Sequence, residues 1–252
     1  MNLNQTINSL DIFKNKNFSL NILKSQGLNN ISYLLKIDKK SYVIRVFKNL
    51  ESVNISRDFE FKVQSKAYKK SISAKTIFIN KNFMIYEFAK GFHKTALNKK
   101  DIKRLALTIK NIHKIKIKSR KYNFLKDLKI YKDTLKDENS KKILLKLEKS
   151  ILKSKKFKED LALVHHDLNI KNILFKNKKI TIIDWEYAGT NDIFFDIATL
   201  CIEFNLSKKD EKRFLKKYFK SIPKYAKKKL KIYKSIYTNI SLLWFKKNSF
   251  SL

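Results

Sequence analysis

The chain has 252 residues, 43% of them hydrophobic, which is enough to bury a full globular core. No run approaches the roughly 18 apolar residues of a membrane span, the opening MNLNQTINSLDIFKN lacks the apolar centre of a signal peptide, and a single cysteine excludes an internal disulfide, so a cytoplasmic protein is expected. The formal net charge of +36 would ordinarily point to nucleic acid or an anionic membrane, but 53 of the 58 basic residues are lysine and they are distributed through the chain with abundant Ile and Asn. That is the residue usage of an AT-rich genome; no specific nucleic-acid partner is expected, only salt-sensitive polyanion binding as a side effect.

In chain order, residues 5–15 read as a short helix or irregular lead-in. Alternation and β-branched content predict strands over 18–23, 31–37 and 42–47, separated by SQGLNN and DKK. A helix follows over 55–69, carrying Arg57 and Glu60, and then strands over 75–79 and 83–88. The stripe Ile102, Leu105, Ile109, Ile112 marks an amphipathic helix over 99–114, on which His113 reads as a packed core histidine. Lysine-rich helices over 123–136 and 138–156 extend a helical layer to which no chemistry is assigned. Beyond residue 190, a helix over 192–204 is capped by Asn191 or Asp192 and holds Cys201 as a buried, inert thiol. The last helix, over 223–245, carries Leu230, Tyr233, Tyr237, Ile240 and Trp244 on one stripe.

The chemistry is concentrated in 163–189, LVHHDLNIKNILFKNKKITIIDWEYAG. Two apolar runs, 172–175 and 180–183, flank a polar KNKK segment, the pattern of a β-hairpin. A turn centred on Asn177 and Lys178 pairs 175 with 180 and 172 with 183, which sets Asn172 beside Asp184. An amide oxygen and a carboxylate there are hard ligands suited to Mg²⁺, which keeps several waters and takes further ligands from substrate phosphates. The string His165-x-Asp167-Leu168-x-x-x-Asn172 has the spacing of the protein-kinase catalytic loop, and Ile183-Asp184-Trp185-Glu186 falls where a second metal-binding Asp belongs. In that pattern Asp167 accepts the proton of an attacking hydroxyl while Asn172 and Asp184 hold the metal against nucleotide phosphates. No Walker A sequence occurs. Residues 181–207 contain no Lys or Arg, where an even spread would place about six, and carry five acids; a metal and a cationic substrate would suit such a stretch.

IDWEYAG, followed by NDIFFDIA and CIEF, resembles the bacterial choline kinases, within the choline/ethanolamine kinase and aminoglycoside phosphotransferase superfamily of protein-kinase-like folds. The resemblance implies an α+β, two-lobed protein-kinase-like fold: an N-lobe over 1–90 with a five-stranded antiparallel sheet and one helix, and a mainly helical C-lobe over 91–252. It implies ATP and Mg²⁺ as cofactors and phosphorylation of the hydroxyl of a small cationic alcohol, choline first, with ethanolamine, an aminoglycoside or another small molecule as alternatives. A catalytically silent kinase-like domain that binds RNA or anionic lipid is the reading from another class, and the intact Asp167, Asn172 and Asp184 speak against it.

The same resemblance implies the remaining roles. Gly27, Asn29 and Asn30 belong to the loop over the phosphates, and Arg45 is the phosphate-binding cation, held by Glu60. Backbone groups near Glu87 and Ala89 bond the adenine, Gly91 marks the lobe hinge, and Gly189 lies in the turn after the metal Asp. His165 is grouped with Asp167 and Arg45 as catalytic, and Asp196 braces the catalytic loop. The acceptor side comprises Asp167, Glu186, Glu203, Tyr237 and Trp244, the last in a segment, LLWFKKNSF, similar to the family's ammonium cage. Many relatives place a second tryptophan three residues further on, where this chain has Lys247. Either Tyr237 or Phe250 completes the cage, or the substrate is not choline.

Overall fold

The structure is a computed structural model and describes residues 3–24, 29–48 and 56–249. Its N-lobe consists of α1 (Leu3–Ser9), β1 (Phe18–Ile22), β2 (Asn30–Ile37), β3 (Lys40–Phe47), α2 (Arg57–Lys69), β4 (Thr76–Ile79) and β5 (Phe83–Glu87). The strands form one antiparallel sheet in the order β1-β2-β3-β5-β4. Period-two alternation turns Leu35, Ile37, Ile44, Phe83 and Ile85 to one face, where Ile7 and Phe13 of the lead-in cover them.

The C-lobe runs α3 (Lys99–Ile112), α4 (Phe124–Thr134), α5 (Glu138–Ser154), β6 (Leu161–Val164), a 3₁₀ turn (Ile170–Asn172), β7 (Ile173–Lys176), β8 (Lys179–Ile182), β9 (Gly189–Asp192), α6 (Phe194–Glu203), α7 (Lys208–Tyr218) and α8 (Ala226–Ser249). The α3 stripe Ile102, Leu105, Ile109 and Ile112 is fully buried, as its spacing predicts, and Asn98 and Asp101 close a capping box at its start. Val63, Ala67 and Ile72 join this larger core, so α2, which also packs against β4 of the sheet, contributes to a core shared with the C-lobe. Among the described residues no helix is long and apolar enough to cross a membrane.

The β7–β8 hairpin has the register read from its sequence: Phe175 pairs with Ile180, Ile173 with Ile182, and the Ile183 N–H donates to the Asn172 carbonyl at 3.1 Å. Asn177 turns the chain with φ 52°. Phe92 exchanges both backbone hydrogen bonds with Phe175, at 3.0 and 2.9 Å, which ties the connection between the lobes to this hairpin. A Cβ on Gly91 would meet Leu174 Cβ at 3.0 Å and the Phe175 carbonyl oxygen at 3.1 Å, so any larger residue would have to push the hairpin away by a few tenths of an ångström.

Three expectations change. Residues 189–192 form a strand paired with β6, so α6 begins at Phe194 and neither Asn191 nor Asp192 occupies the capping position, although Asp192 Oδ1 accepts the Phe194 N–H at 3.0 Å. Gly189 opens that strand without a positive φ, and the turn after Asp184 is made by 185–188, where the Ala188 N–H reaches the Trp185 carbonyl at 3.0 Å. Helix α7 was not expected at all, because KKDEKRFLKKY shows only Phe214, Leu215 and Tyr218 as an inner face.

Candidate active site

The loop beginning at His165 follows β6 and is suspended from α6. Asp196 accepts the His165 N–H at 3.0 Å and the His166 N–H at 3.1 Å, and His113 Nε2 lies 3.0 Å from the same carboxylate. His113 Nδ1 is 2.6 Å from the Tyr218 hydroxyl, which makes it the packed core histidine its sequence suggested. His165 is fully buried; its Nδ1 accepts the Asp167 N–H at 3.3 Å, which leaves Nε2 to donate to the Ile183 carbonyl at 3.1 Å. One neutral imidazole therefore links the Asp167 backbone to the chain at Ile183, and His165, expected among the catalytic residues, is fully buried in this bridge. His166 likewise bridges the Tyr187 carbonyl at 2.9 Å and the Asn191 amide at 2.8 Å. Burial pushes both rings down to about 4.

Asp167 is gripped from two sides. Its Oδ1 accepts Asn169 Nδ2 at 2.8 Å and its Oδ2 accepts Asn172 Nδ2 at 2.7 Å. Asn169 also caps the 3₁₀ turn that carries Asn172, accepting the Lys171 and Asn172 N–H groups. Burial first, and the Asp184 carboxylate second, push Asp167 up to about 6, near enough to neutrality for a proton acceptor.

Asn172 spends its amide N–H₂ on Asp167, which turns its carbonyl oxygen the other way. Asp184 has φ 64° and a buried Oδ1 with no hydrogen-bond donor. With His166 at φ 69°, the site holds two non-glycine residues in the left-handed region, at a cost of about 1–3 kcal/mol each. Among the described residues no group of three or more His, Cys, Asp or Glu closes a full metal cage. A carboxylate oxygen without a hydrogen-bond donor, on the residue that follows the Ile183–Asn172 pairing, and an amide oxygen of Asn172 are ligand types that fit Mg²⁺, which needs few protein ligands.

A buried charge cluster stands against this pair. Arg45, 3% exposed, places Nη1 2.7 Å from Glu60 Oε1 and Nη2 2.7 Å from Glu186 Oε2 and 2.9 Å from Asp184 Oδ1. Arg57 Nη1 binds Glu60 at 3.0 Å and Glu186 at 2.9 Å, and its Nη2 donates to Asn30 Oδ1 at 3.0 Å. Asn29 and Asn30 donate to the two oxygens of Glu186 at 3.0 and 3.1 Å. Burial would raise Glu186, but Arg45 and these donors hold it below the usual range. Expected on the acceptor side, Glu186 instead faces the N-lobe. Gly27, from the same loop as Asn29, lies outside the described residues.

On the opposite side Tyr237 donates to Glu203 Oε1 at 2.7 Å, and Phe195 makes ring contacts with both Tyr237 and His166, linking α8 to the catalytic loop. Trp244 lies two helical turns beyond Tyr237 with Phe245 as ring neighbour, and Phe250 is outside the described residues. At the lobe connection the Glu87 N–H is taken by the Lys75 carbonyl, whereas the Ala89 N–H enters no backbone hydrogen bond among the described residues. The sequence reading missed Asn169, His166 and the role of Arg57. It also missed Trp185, buried with Nε1 donating to Ser73 Oγ at 3.0 Å. The one available signal was Arg57 itself, one of five arginines among 58 basic residues.

The sequence model described as choline/ethanolamine kinase matches residues 20–250. The protein LicA of Haemophilus influenzae is 25% identical over 242 residues, covering 87% of this chain and 71% of that protein. The fold is shared with the choline kinase LicA of Streptococcus pneumoniae (TM-score 0.83, 20% identity, 99% of this chain and 90% of that one). It is also shared with a LicA structure in complex with AMP (TM-score 0.79, 21% identity, 99% and 90%). With a family model spanning nearly all of the sequence, the chain belongs to the choline/ethanolamine kinase family of small-molecule kinases.

Proposed function

We propose that the protein transfers the γ-phosphoryl group of ATP, in the presence of Mg²⁺, to the hydroxyl of choline. The observation that carries this reading is the convergence of Asp167, Asn172 and Asp184 at the open end of one hairpin, facing the buried Arg45. Asp184 Oδ1 and the Asn172 amide oxygen would hold the metal, which when bound supplies charge neutralisation on the phosphates. The substrate oxygen forms a bond to the γ-phosphorus, the bond from that phosphorus to the β–γ bridging oxygen breaks, and ADP leaves with the electron pair. The hydroxyl proton passes to Asp167, whose carboxylate is aimed by Asn169 and Asn172. Arg45, Asn29 and Asn30 would lie along the phosphates, and the Ala89 N–H would meet the adenine in a cleft between the sheet lobe, 1–90, and the helical lobe, 91–252.

The Glu203–Tyr237 pair supports a cationic acceptor, because a carboxylate held at the hydroxyl end of an aromatic ring offers an ammonium a charge and a neighbouring ring. The test is ADP release by purified protein with Mg²⁺ and ATP, comparing choline, ethanolamine and a panel of aminoglycosides. Choline is expected to give the highest kcat/KM. Faster turnover of another acceptor would reassign the substrate, and folded protein with no turnover of any acceptor would overturn the kinase reading.

A further inference from the structure

A second feature lies away from these residues, between α7 and α8. The 27 residues 208–234 carry twelve lysines and one arginine against two acids, where an even spread would give about six basic residues. They directly follow the 27-residue stretch, 181–207, that has no basic residue. The positive charge here is about twice as dense as the chain average and adjoins a stretch that has none.

The two helices enclose a concavity of about 640 Å³ whose aliphatic floor includes Leu215 and Leu230. Glu211, its one acidic lining residue, is neutralised by Lys234 at 2.5 Å and Lys208 at 3.6 Å. Lys209, Lys212, Lys227 and Lys231 are exposed around it and make no ion pair among the described residues. Four free ammonium groups on flexible stems around an apolar floor form a site for anions.

The character of the anion follows from what the surface lacks. Phe214, Tyr218 and Tyr233 are buried and Phe219 and Tyr225 are half-buried, so this face presents no fully exposed ring of the kind that stacks nucleobases. Arg213 is paired with Asp210 and does not line the concavity, which leaves no planar fork for bidentate phosphate recognition. Mobile point charges over aliphatic side chains match a layer of many phosphates at variable positions. We propose that the α7–α8 face docks the protein on a bilayer bearing anionic phospholipid headgroups.

The experiment is flotation of the full chain with phosphatidylcholine vesicles, with and without phosphatidylglycerol, at about 0.15 M salt, where the Debye length is about 8 Å. Binding is expected only with phosphatidylglycerol. Combined replacement Lys209→Gln, Lys212→Gln, Lys227→Gln and Lys231→Gln is expected to weaken it at least about tenfold. The control Lys39→Gln, Lys40→Gln, Lys81→Gln and Lys142→Gln, four exposed lysines elsewhere, is expected to change it less than about twofold. An equal loss in the control would overturn the proposal in favour of diffuse charge, as would equal binding to pure phosphatidylcholine. Failure of the four-lysine variant to weaken vesicle binding while it loses single-stranded RNA binding would overturn it in favour of nucleic acid. Because vesicle binding is read without turnover, its outcome is separate from that of the kinase assay.

Discussion

Arg45 and Asp184 face each other with Nη2 2.9 Å from Oδ1, yet that oxygen has no aligned hydrogen-bond donor. The guanidinium spends its best-directed bonds on Glu60 and Glu186, so it attracts the Asp184 carboxylate without capping it. Lysine could not reproduce this, since a single ammonium cannot span three carboxylates with a planar fork. Arg45→Lys is expected to fold and to raise the KM for ATP about tenfold. Arg45→Met leaves Glu60, 1% exposed, with only Arg57, and is expected to cost about 3 kcal/mol of stability by denaturant titration. Unchanged KM in the lysine variant would show that this guanidinium does not meet the phosphates.

Asp167 offers a separation of activity from stability. Its carboxyl is held near 6 by burial and by Asp184, above the ordinary value near 3.9, so its ionised form is disfavoured in the fold. A raised carboxylate pKa means that the native state binds the proton more tightly, and this contribution to stability is lost as pH rises from about 4 through 6. Asp167→Asn is accordingly expected to abolish turnover, by about 10³-fold or more, with a melting temperature at pH 7 equal to or above that of the parent. The kcat/KM profile of the parent should fall below a limb at about 6. A variant that retains more than a tenth of the parent's turnover would remove Asp167 from the base role.

The two neutral histidines predict acid sensitivity of the opposite sign. His165 and His166 are pushed down to about 4, whereas an unfolded chain takes up these protons near 6.5. Between those values the unfolded state binds more protons, so stability rises with pH through the window and is lost as pH falls from about 6.5 to 4. The fully buried His165 should dominate, at on the order of 2 kcal/mol, with the more exposed His166 adding less. Urea titrations at about pH 7 and pH 5 measure it. Equal midpoints would mean that these rings are not held neutral.

What the sequence made legible was local. The hairpin register, the α3 stripe and the Asp167–Asn172 spacing depend on residues a few positions apart, where periodicity and turn chemistry act directly. Pairings over long separations were not legible. Glu186 sits two residues after Asp184, and nothing in IDWEYAG tells which lobe its side chain meets; Asn29, Asn30, Arg45 and Arg57, between 129 and 157 residues away, decide that. Lys229 was one lysine among 53 in sequence, yet in the fold it is buried at 1% exposure between Asp160 at 2.7 Å and Asp192 at 2.5 Å, with the Phe194 ring 4.9 Å from its ammonium. Strand β9 was hidden for the same reason, because GTND has no strand character until β6 pairs with it.

The Glu203–Tyr237 pair gives the sharpest test of the acceptor. The Tyr237 hydroxyl is spent on Glu203 Oε1 at 2.7 Å, which leaves the second carboxylate oxygen for a cation. Glu203→Gln keeps an acceptor for that hydroxyl but removes the charge. It is expected to raise the KM for choline about tenfold, with kcat changed less than threefold and the KM for ATP unaffected. Tyr237→Phe keeps the ring, frees the carboxylate, and is expected to change the KM for choline less than threefold; Tyr237→Leu removes the ring and should raise it by about five- to thirtyfold, the equivalent of about 1–2 kcal/mol of cation–π attraction. The three variants together separate charge from ring. If all three bind choline as the parent does, the acceptor ammonium lies elsewhere, and the KM of a Trp244→Leu variant would then locate it further along α8.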